Sequence, residues 1–388
     1  MKNPRIAVGI DIGTHHVKIV VVEEASEGKT PRIIGTGIAK TRGIRHGYVV
    51  DGGEVAASVR EAKRQAEQAA RMPVRKGFLA IGGISLDEAR ASAEVIISRA
   101  DQEVTDLDIE KVRAAAREAG KPHFTNRRIL HDIPLEFRID GTKVLGNPVG
   151  MHGVRLQAEY LFITALAQHV TALTNAVEAA DIEVIDEMAS PLAGSHVLLS
   201  RDQKMKGCLL ADIGADTTSI VAYDEGIPLS VKTFPEGSAN ITDDIAIAFK
   251  IGLDDAERLK VGKLAGSVYP RKKVDDLMTK RFEHIFAAID KHLKTIGRKG
   301  PLPAGIILSG GGASYGLPLV EIAKSELSLP AKTGDLRLPE TAKVRDASLA
   351  VAYGLALWGL TGDTDGGGDP IFSGMGVALG RFFRQFLP

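Results

Sequence analysis

One cysteine, one tryptophan and a 5% share of aromatic residues are what this chain of 388 residues has little of. Cys208 lies in the apolar run Cys208-Leu209-Leu210 and has no partner for an internal disulfide. A disulfide scaffold is excluded, and a reducing compartment fits. Charge of one sign is not in excess: Lys+Arg and Asp+Glu both number 49, so the body has no basic bias towards nucleic acid. No run reaches the roughly 18 apolar residues of a spanning helix. The first residues lead directly into Ile6-Ala7-Val8-Gly9-Ile10, with no secretory h-region or cleavage site. The expectation is a cytoplasmic protein whose membrane contact is peripheral, built from two or more domains because of its length.

What is present is an internal repeat. Ile6 to Ile10 is an apolar strand run that ends in Asp11-Ile12-Gly13-Thr14 and is followed by a second apolar run, Val17 to Val22. The pattern returns as Leu209-Leu210-Ala211-Asp212-Ile213-Gly214, followed by Ser219 to Tyr223. Both read as β-hairpins whose turn carries a carboxylate and a glycine. Such a glycine lets turn N–H groups approach a phosphate, and such an Asp can hold Mg²⁺ through its water shell. One Asp-x-Gly turn is usually a plain hairpin turn; two in equivalent strand contexts, half a chain apart, carry weight. A third element is the short strand Ala304 to Leu308, which runs into Ser309-Gly310-Gly311-Gly312-Ala313 before a helical segment, Leu317 to Leu327. A strand ending in a glycine cluster ahead of a helix allows close approach of a planar or anionic ligand.

Helical periodicity marks Glu54 to Met72, ended by Pro73, and Ala167 to Ala180, which follows an alternating strand from Leu156 to Ala165. Ala347 to Leu360 is apolar almost all round, the mark of a buried helix. Strand–helix alternation predicts an α/β fold. Residues 77–157 read differently, as a small α+β insertion: strands at Phe78-Leu79-Ala80-Ile81, Val95-Ile96-Ile97 and Ile129 to Leu135, and one helix over Asp106 to Glu118 opened by a Thr105 cap.

These residues resemble the actin superfamily and, within it, the FtsA family of division-ring membrane tethers. The resemblance is carried by the hairpins and glycine loop. It is carried further by Ile129-Leu130-His131-Asp132-Ile133-Pro134-Leu135-Glu136-Phe137, Asn147-Pro148-Val149-Gly150 and Gly153 to Ala158, and by Asn240 to Ala246 and Ala256 to Lys260. It implies a two-domain, ribonuclease H-like ATPase fold. The first core would be 1–76, 158–200 and 340–360, with the insertion at 77–157. The second core would be 201–236 and 299–339, with a small subdomain at 237–298. Asp11, Gly13, Thr14, His15 and Lys18 would form the first phosphate hairpin, and Asp212, Gly214, Ala215 and Thr217 the second. Glu257 and Lys260 would contact the ribose and flank the adenine, with Gly310, Gly311 and Gly312 opposite. ATP would be the ligand, with Mg²⁺ held through water by Asp11 and Asp212.

Several positions depart from that pattern. Ala215 and Asp216 follow Gly214 where successive glycines are usual, and Asp216 would repel a triphosphate unless it points outward or helps hold the metal. His15 and His16 replace a small hydroxyl and a basic residue. Neighbours on a strand face opposite ways, so one is expected at the phosphates and the other towards core or solvent, with no dedicated metal site. Ser190 stands where a Glu or Gln would orient the attacking water, and Glu187 is three residues earlier. ATP binding with slow or negligible hydrolysis is expected.

Residues 361–374 form a Gly/Asp-rich linker. In residues 375–388, Met375, Leu379, Phe382, Phe383, Phe386 and Leu387 share one helical arc, while Arg381 and Arg384 lie opposite. This is an amphipathic membrane helix suited to anionic lipid. One copy binds weakly and arrayed copies bind firmly, so filaments are expected. The resemblance implies partners: the C-terminal peptide of tubulin-like FtsZ on residues 237–298, for which Lys280 and Arg281 are candidates, further copies of the chain, later division proteins, and no nucleic acid. The alternatives are a pilus-assembly ATPase of the PilM type and a sugar or acid kinase of the same superfamily.

Overall fold

The computed structural model describes residues 5–24, 31–264, 269–296, 302–313, 318–336 and 347–361. The chain first forms β1 (Ile6–Ile12), β2 (His16–Glu23), β3 (Arg32–Lys40), the short pair β4 (Ile44–Arg45) and β5 (Tyr48–Val49), α1 (Gly52–Ala70) and β6 (Lys76–Ile81). An inserted unit follows, displaced from the expected 77–157 because the apolar run at 78–81 is β6, paired with β1 and β11 of the first sheet: β7 (Asp87–Ile96), α2 (Asp106–Ala119), β8 (Arg127–Ile139), β9 (Thr142–Val144) and β10 (Arg155–Leu166). Then come α3 (Ala167–Glu178), β11 (Glu183–Ala189), α4 (Ser190–Leu198) and α5 (Arg201–Lys206). The second half contains β12 (Cys208–Ile213), β13 (Thr218–Asp224), β14 (Ile227–Phe234), α6 (Ser238–Phe249), α7 (Leu253–Lys260), α8 (Arg271–Thr295), β15 (Ile306–Ser309), α9 (Leu319–Leu327) and β16 (Ala331–Thr333), before α10 (Ala350–Thr361).

The sequence repeat is a repeat of topology. One sheet has the order β3-β2-β1-β6-β11, and the other β14-β13-β12-β15-β16. Each is a three-stranded antiparallel meander to which two strands are added in parallel. The strands β1 and β12 read as continuous apolar runs because both of their faces are covered. Ala7, Val8, Ile10, Leu209, Leu210 and Ala211 are all buried. Helix α10 is buried almost throughout, packs on β1 and α4, and shares a core that reaches into both sheets through Leu210, Val221 and Ile307.

Helix boundaries follow their caps. The Asp51 side chain accepts the Glu54 N–H and starts α1. The helix stops at Ala70, because Arg71 takes a left-handed conformation (φ 55°), two residues short of the expected end at Met72. Helix α8 buries one face from Val274 through Met278, Phe282, Ile285, Phe286 and Ile289.

The inserted unit is a four-stranded sheet, β7-β10-β8-β9, with α2 packed against it over Val112, Phe137, Tyr160 and Phe162. Its long strands belong to two cores. Leu130, Ile133, Leu161 and Ile163 pack with the first half, while Phe137, Leu156 and Tyr160 pack with α2. The insertion is therefore continuous with the first half rather than hung from it by a linker.

Candidate functional site

Each strand that ends in an aspartate turns back through the same local bond. Gly13 N–H donates to the His16 carbonyl at 3.1 Å, and Gly214 N–H donates to the Thr217 carbonyl at 2.8 Å. Because the two sheets share a topology, these turns face one another across a cleft of about 480 Å³ between the halves. All the residues expected around a nucleotide line this one cleft: the Asp11–Lys18 set, the Asp212–Thr217 set, Glu257, Lys260 and the three glycines of the loop after β15. Gly310 has φ +90°, and a side chain there would lie 2.5 Å from Asp212 Oδ1. Only glycine allows the loop to lie against the second hairpin.

The charges in the cleft are arranged rather than scattered. Lys18 Nζ lies 3.4 Å from Asp11 Oδ2. Burial pushes the Asp212 carboxyl up to about 6; Lys18 opposes that shift and Asp11 adds to it. Lys260 is not the solvated surface partner that most i,i+3 pairs supply. It is buried, donates to the Ser238 carbonyl at 3.0 Å and Thr242 Oγ1 at 2.8 Å, and lies 2.6 Å from Glu257 Oε2. Against the upward pull of burial, hydrogen bonds from Lys260 and Thr242 hold Glu257 below its ordinary range. Among the described lining residues the carboxylates are Asp11, Asp212 and Glu257.

Two expectations are corrected here. Asp216 neither faces the cleft nor points to solvent: its Oδ2 accepts the backbone N–H of His46 at 3.0 Å, on the β4–β5 turn of the other half. His15 and His16 do not diverge. Residue 15 sits in the turn, outside the strand that begins at 16, and the two rings meet edge to face, 4.4 Å between centroids, both lining the cleft. Strand alternation does not apply across a turn.

Ser190 lines the cleft, with its Oγ lying over Gly82. Glu187 is directed elsewhere: its carboxylate is 3.1 Å from Arg128 Nη1 and accepts the Thr174 hydroxyl. Sequence reading missed Gly47, Gly82, Gly83 and Ser238, all of which line the cleft. Gly47 and Gly83 touch so closely that a side chain on the first would meet the second's Cα at 2.5 Å. A glycine pair at 82–83, directly after an apolar strand, was the available signal. Outside the cleft, Arg281 is held by Asp244 at 2.8 Å and Glu236 at 3.4 Å, while Lys280 is exposed. The tail residues Met375 to Leu387 lie outside the described residues. No helix among the described residues is long and apolar enough to cross a membrane.

Comparisons with known proteins agree with this architecture. Residues 88–164 match the family model "SHS2 domain inserted in FTSA", and residues 209–354 match "Cell division protein FtsA". The chain is 30% identical over 335 residues to the cell division protein FtsA of Bacillus subtilis (strain 168), covering 81% of this chain and 75% of the relative. It is 28% identical over 392 residues to FtsA of Pseudomonas aeruginosa, covering 94% and 92%. A solved PilM-PilN type IV pilus biogenesis complex shares the fold, with a TM-score of 0.69 at 19% identity over 91% of this chain and 98% of that one. The chain belongs to the FtsA family of cell division proteins, with an actin-like two-domain fold and an SHS2 domain inserted into its first half.

Proposed function

We propose that this chain binds ATP with Mg²⁺ in the cleft, assembles into actin-like filaments, and tethers the tubulin-like FtsZ to the cytoplasmic face of the membrane through residues 375–388. The observation that carries the nucleotide reading is the convergence of both Asp-x-Gly turns and the Gly310–Gly312 loop on one cleft. Turn N–H groups and Lys18 suit the phosphates. The Glu257–Lys260 pair suits the ribose and adenine. Asp11 and Asp212 offer oxygen donors only, one of them with a raised pKa that a dication would lower again, and this donor set fits Mg²⁺. When bound, Mg²⁺ would neutralise phosphate charge. The chain's own residues orient the phosphates and narrow the access of water.

Hydrolysis is proposed to be slow, because among the described residues Ser190 has no carboxylate partner and Glu187 is tied to Arg128. The FtsZ peptide is placed, in this proposal, on residues 237–298. Lys280 is accessible there, whereas Arg281 is occupied by Asp244 and Glu236. Later division proteins would meet the insertion. The likeness to PilM is one of fold and supplies no membrane-binding tail.

Electron microscopy on a lipid monolayer containing anionic lipid tests the reading as a whole. With ATP, filaments should form on the monolayer; a chain lacking residues 375–388 should keep its nucleotide and leave the lipid. Filaments that form equally without nucleotide, or a truncated chain that still coats the monolayer, would overturn it.

A further inference from the structure

The meeting of His15 and His16 has a chemical consequence beyond phosphate contact. Their Nδ1 atoms are 3.0 Å apart, and the rings stand at 88° to one another. Two imidazole nitrogens bound to one divalent ion at roughly 2.1 Å each, in neighbouring positions of an octahedral shell, are themselves about 3.0 Å apart. The tetrahedral spacing is only a few tenths of an ångström longer. The backbone holds both residues in place: Gly13 N–H bonds the His16 carbonyl, and Thr41 N–H bonds the His15 carbonyl at 3.0 Å. Little ordering remains to be done when an ion arrives.

We propose that His15 and His16 form a two-nitrogen chelate for a nitrogen-preferring divalent cation of the Co²⁺, Ni²⁺ or Zn²⁺ class. It is distinct from the oxygen-only Asp11 and Asp212 set, which suits Mg²⁺. His15 is exposed and His16 half-buried, so the pair opens to the cleft. Among the described residues no third His, Cys, Asp or Glu joins them in a metal-binding group. The other coordination positions therefore fall to water or to an anionic ligand in the cleft. Glu257 is the carboxylate that senses His15 from the opposite half; Lys18 and Asp11, on the same hairpin, are paired with each other. A phosphate oxygen completing the shell rests on the nucleotide reading above, but the chelate itself does not.

The test is Co²⁺ titration of the full chain, carrying no histidine tag, followed by visible absorption and calorimetry. Wild type should bind one equivalent with a ligand-field band, and His15→Gln and His16→Gln should each weaken binding at least ten-fold while keeping the wild-type melting curve. If either variant loses its fold, His15→Cys should restore Co²⁺ binding with a thiolate charge-transfer band. A wild-type chain without the band, meaning that the pair shares only a proton, would overturn the proposal. So would equal affinity in both variants, which would locate the ion elsewhere. Adding a non-hydrolysable ATP analogue should then tighten Co²⁺ binding and shift the band. A separate titration of wild type with that analogue and Mg²⁺ reports on the nucleotide reading alone, so either can fail without the other.

Discussion

Asp212 sits at the end of an apolar strand, with hydrophobic neighbours on one side and a second carboxylate facing it across the cleft. Its folded pKa of about 6 stands above the ordinary 3.8, so the native state holds this proton more tightly than the unfolded chain does. Its stabilising contribution is complete below about pH 4 and is lost as the pH rises to about 6. Two pH units correspond to about 3 kcal/mol; water reaching the cleft reduces this to about 1–2 kcal/mol. Asp212→Asn should therefore unfold at higher urea at pH 7.5 than wild type, with the gap closing at pH 4, while nucleotide binding is lost. Equal midpoints at both pH values would refute the argument. The aspartate itself was legible in the repeat. Its raised pKa was not, because that depends first on burial, to which the Gly310 loop contributes, and then on Asp11 in the opposite half.

The β4–β5 pair shows what an element can do without any sequence signature. Two residues per strand give no period to detect, and neither His46 nor Gly47 stood out. Yet His46 adopts φ 50°, and its N–H reaches Asp216 on the second hairpin, 170 positions away in the chain. Gly47 packs directly on Gly83 beneath it. The turn thus lines the cleft through Gly47 and is fastened to both halves. A hydrogen bond to a charged acceptor is worth about 1.5–3 kcal/mol. Asp216→Ala should speed release of a fluorescent nucleotide by roughly ten-fold, by the same conversion of energy to rate. Asp216→Asn, which keeps an acceptor oxygen, should do so less. Stopped-flow displacement measures both, and unchanged release in the alanine variant would show that the contact does not govern opening. The longer elements were legible by contrast: α1, α3 and α10 have three or more turns, over which burial imposes its period.

At the scale of the molecule, the insertion is held at two places. Its strands β8 and β10 run into the first half, and its edge strand β7 meets the edge strand β14 of the second. There Glu88 accepts the Val231 N–H at 2.6 Å and the Ser230 hydroxyl at 2.8 Å, His292 Nε2 lies 2.8 Å from the same hydroxyl, and Lys232 lies 3.2 Å from Asp87. Burial raises the Glu88 pKa despite these bonds. This junction covers a sheet edge whose outward N–H groups would otherwise be open. Glu88→Ala would leave the Val231 N–H and the Ser230 hydroxyl without that acceptor, at a cost of about 1–3 kcal/mol. Hydrogen exchange at residues 229–232 should rise in that variant while β12, deep in the sheet, keeps its protection. Unchanged exchange at Val231 would place its protection elsewhere. This junction fixes the edge of the insertion against the second half.

The amino-acid sequence by itself determined the α/β class, the duplicated Asp-x-Gly hairpins, the glycine loop and the helices with a buried face, because each follows from short-range backbone preference and the period of burial. The repeat showed that the two turns are equivalent, whereas the roles of Glu257 and Lys260 came from the resemblance to the FtsA family. Tertiary structure decided what those side chains do to one another. It joined His15 to His16 through a turn, directed Asp216 to His46, withdrew Glu187 to Arg128, buried Lys260 against Thr242 and occupied Arg281 with Asp244. The physical reason is one of range. A turn's glycine is required by torsion angles within a few residues, whereas the partner of a charged or polar side chain is whatever group the fold brings within about 3 Å. In a cleft assembled from two halves of the chain, most of those partners are distant in sequence.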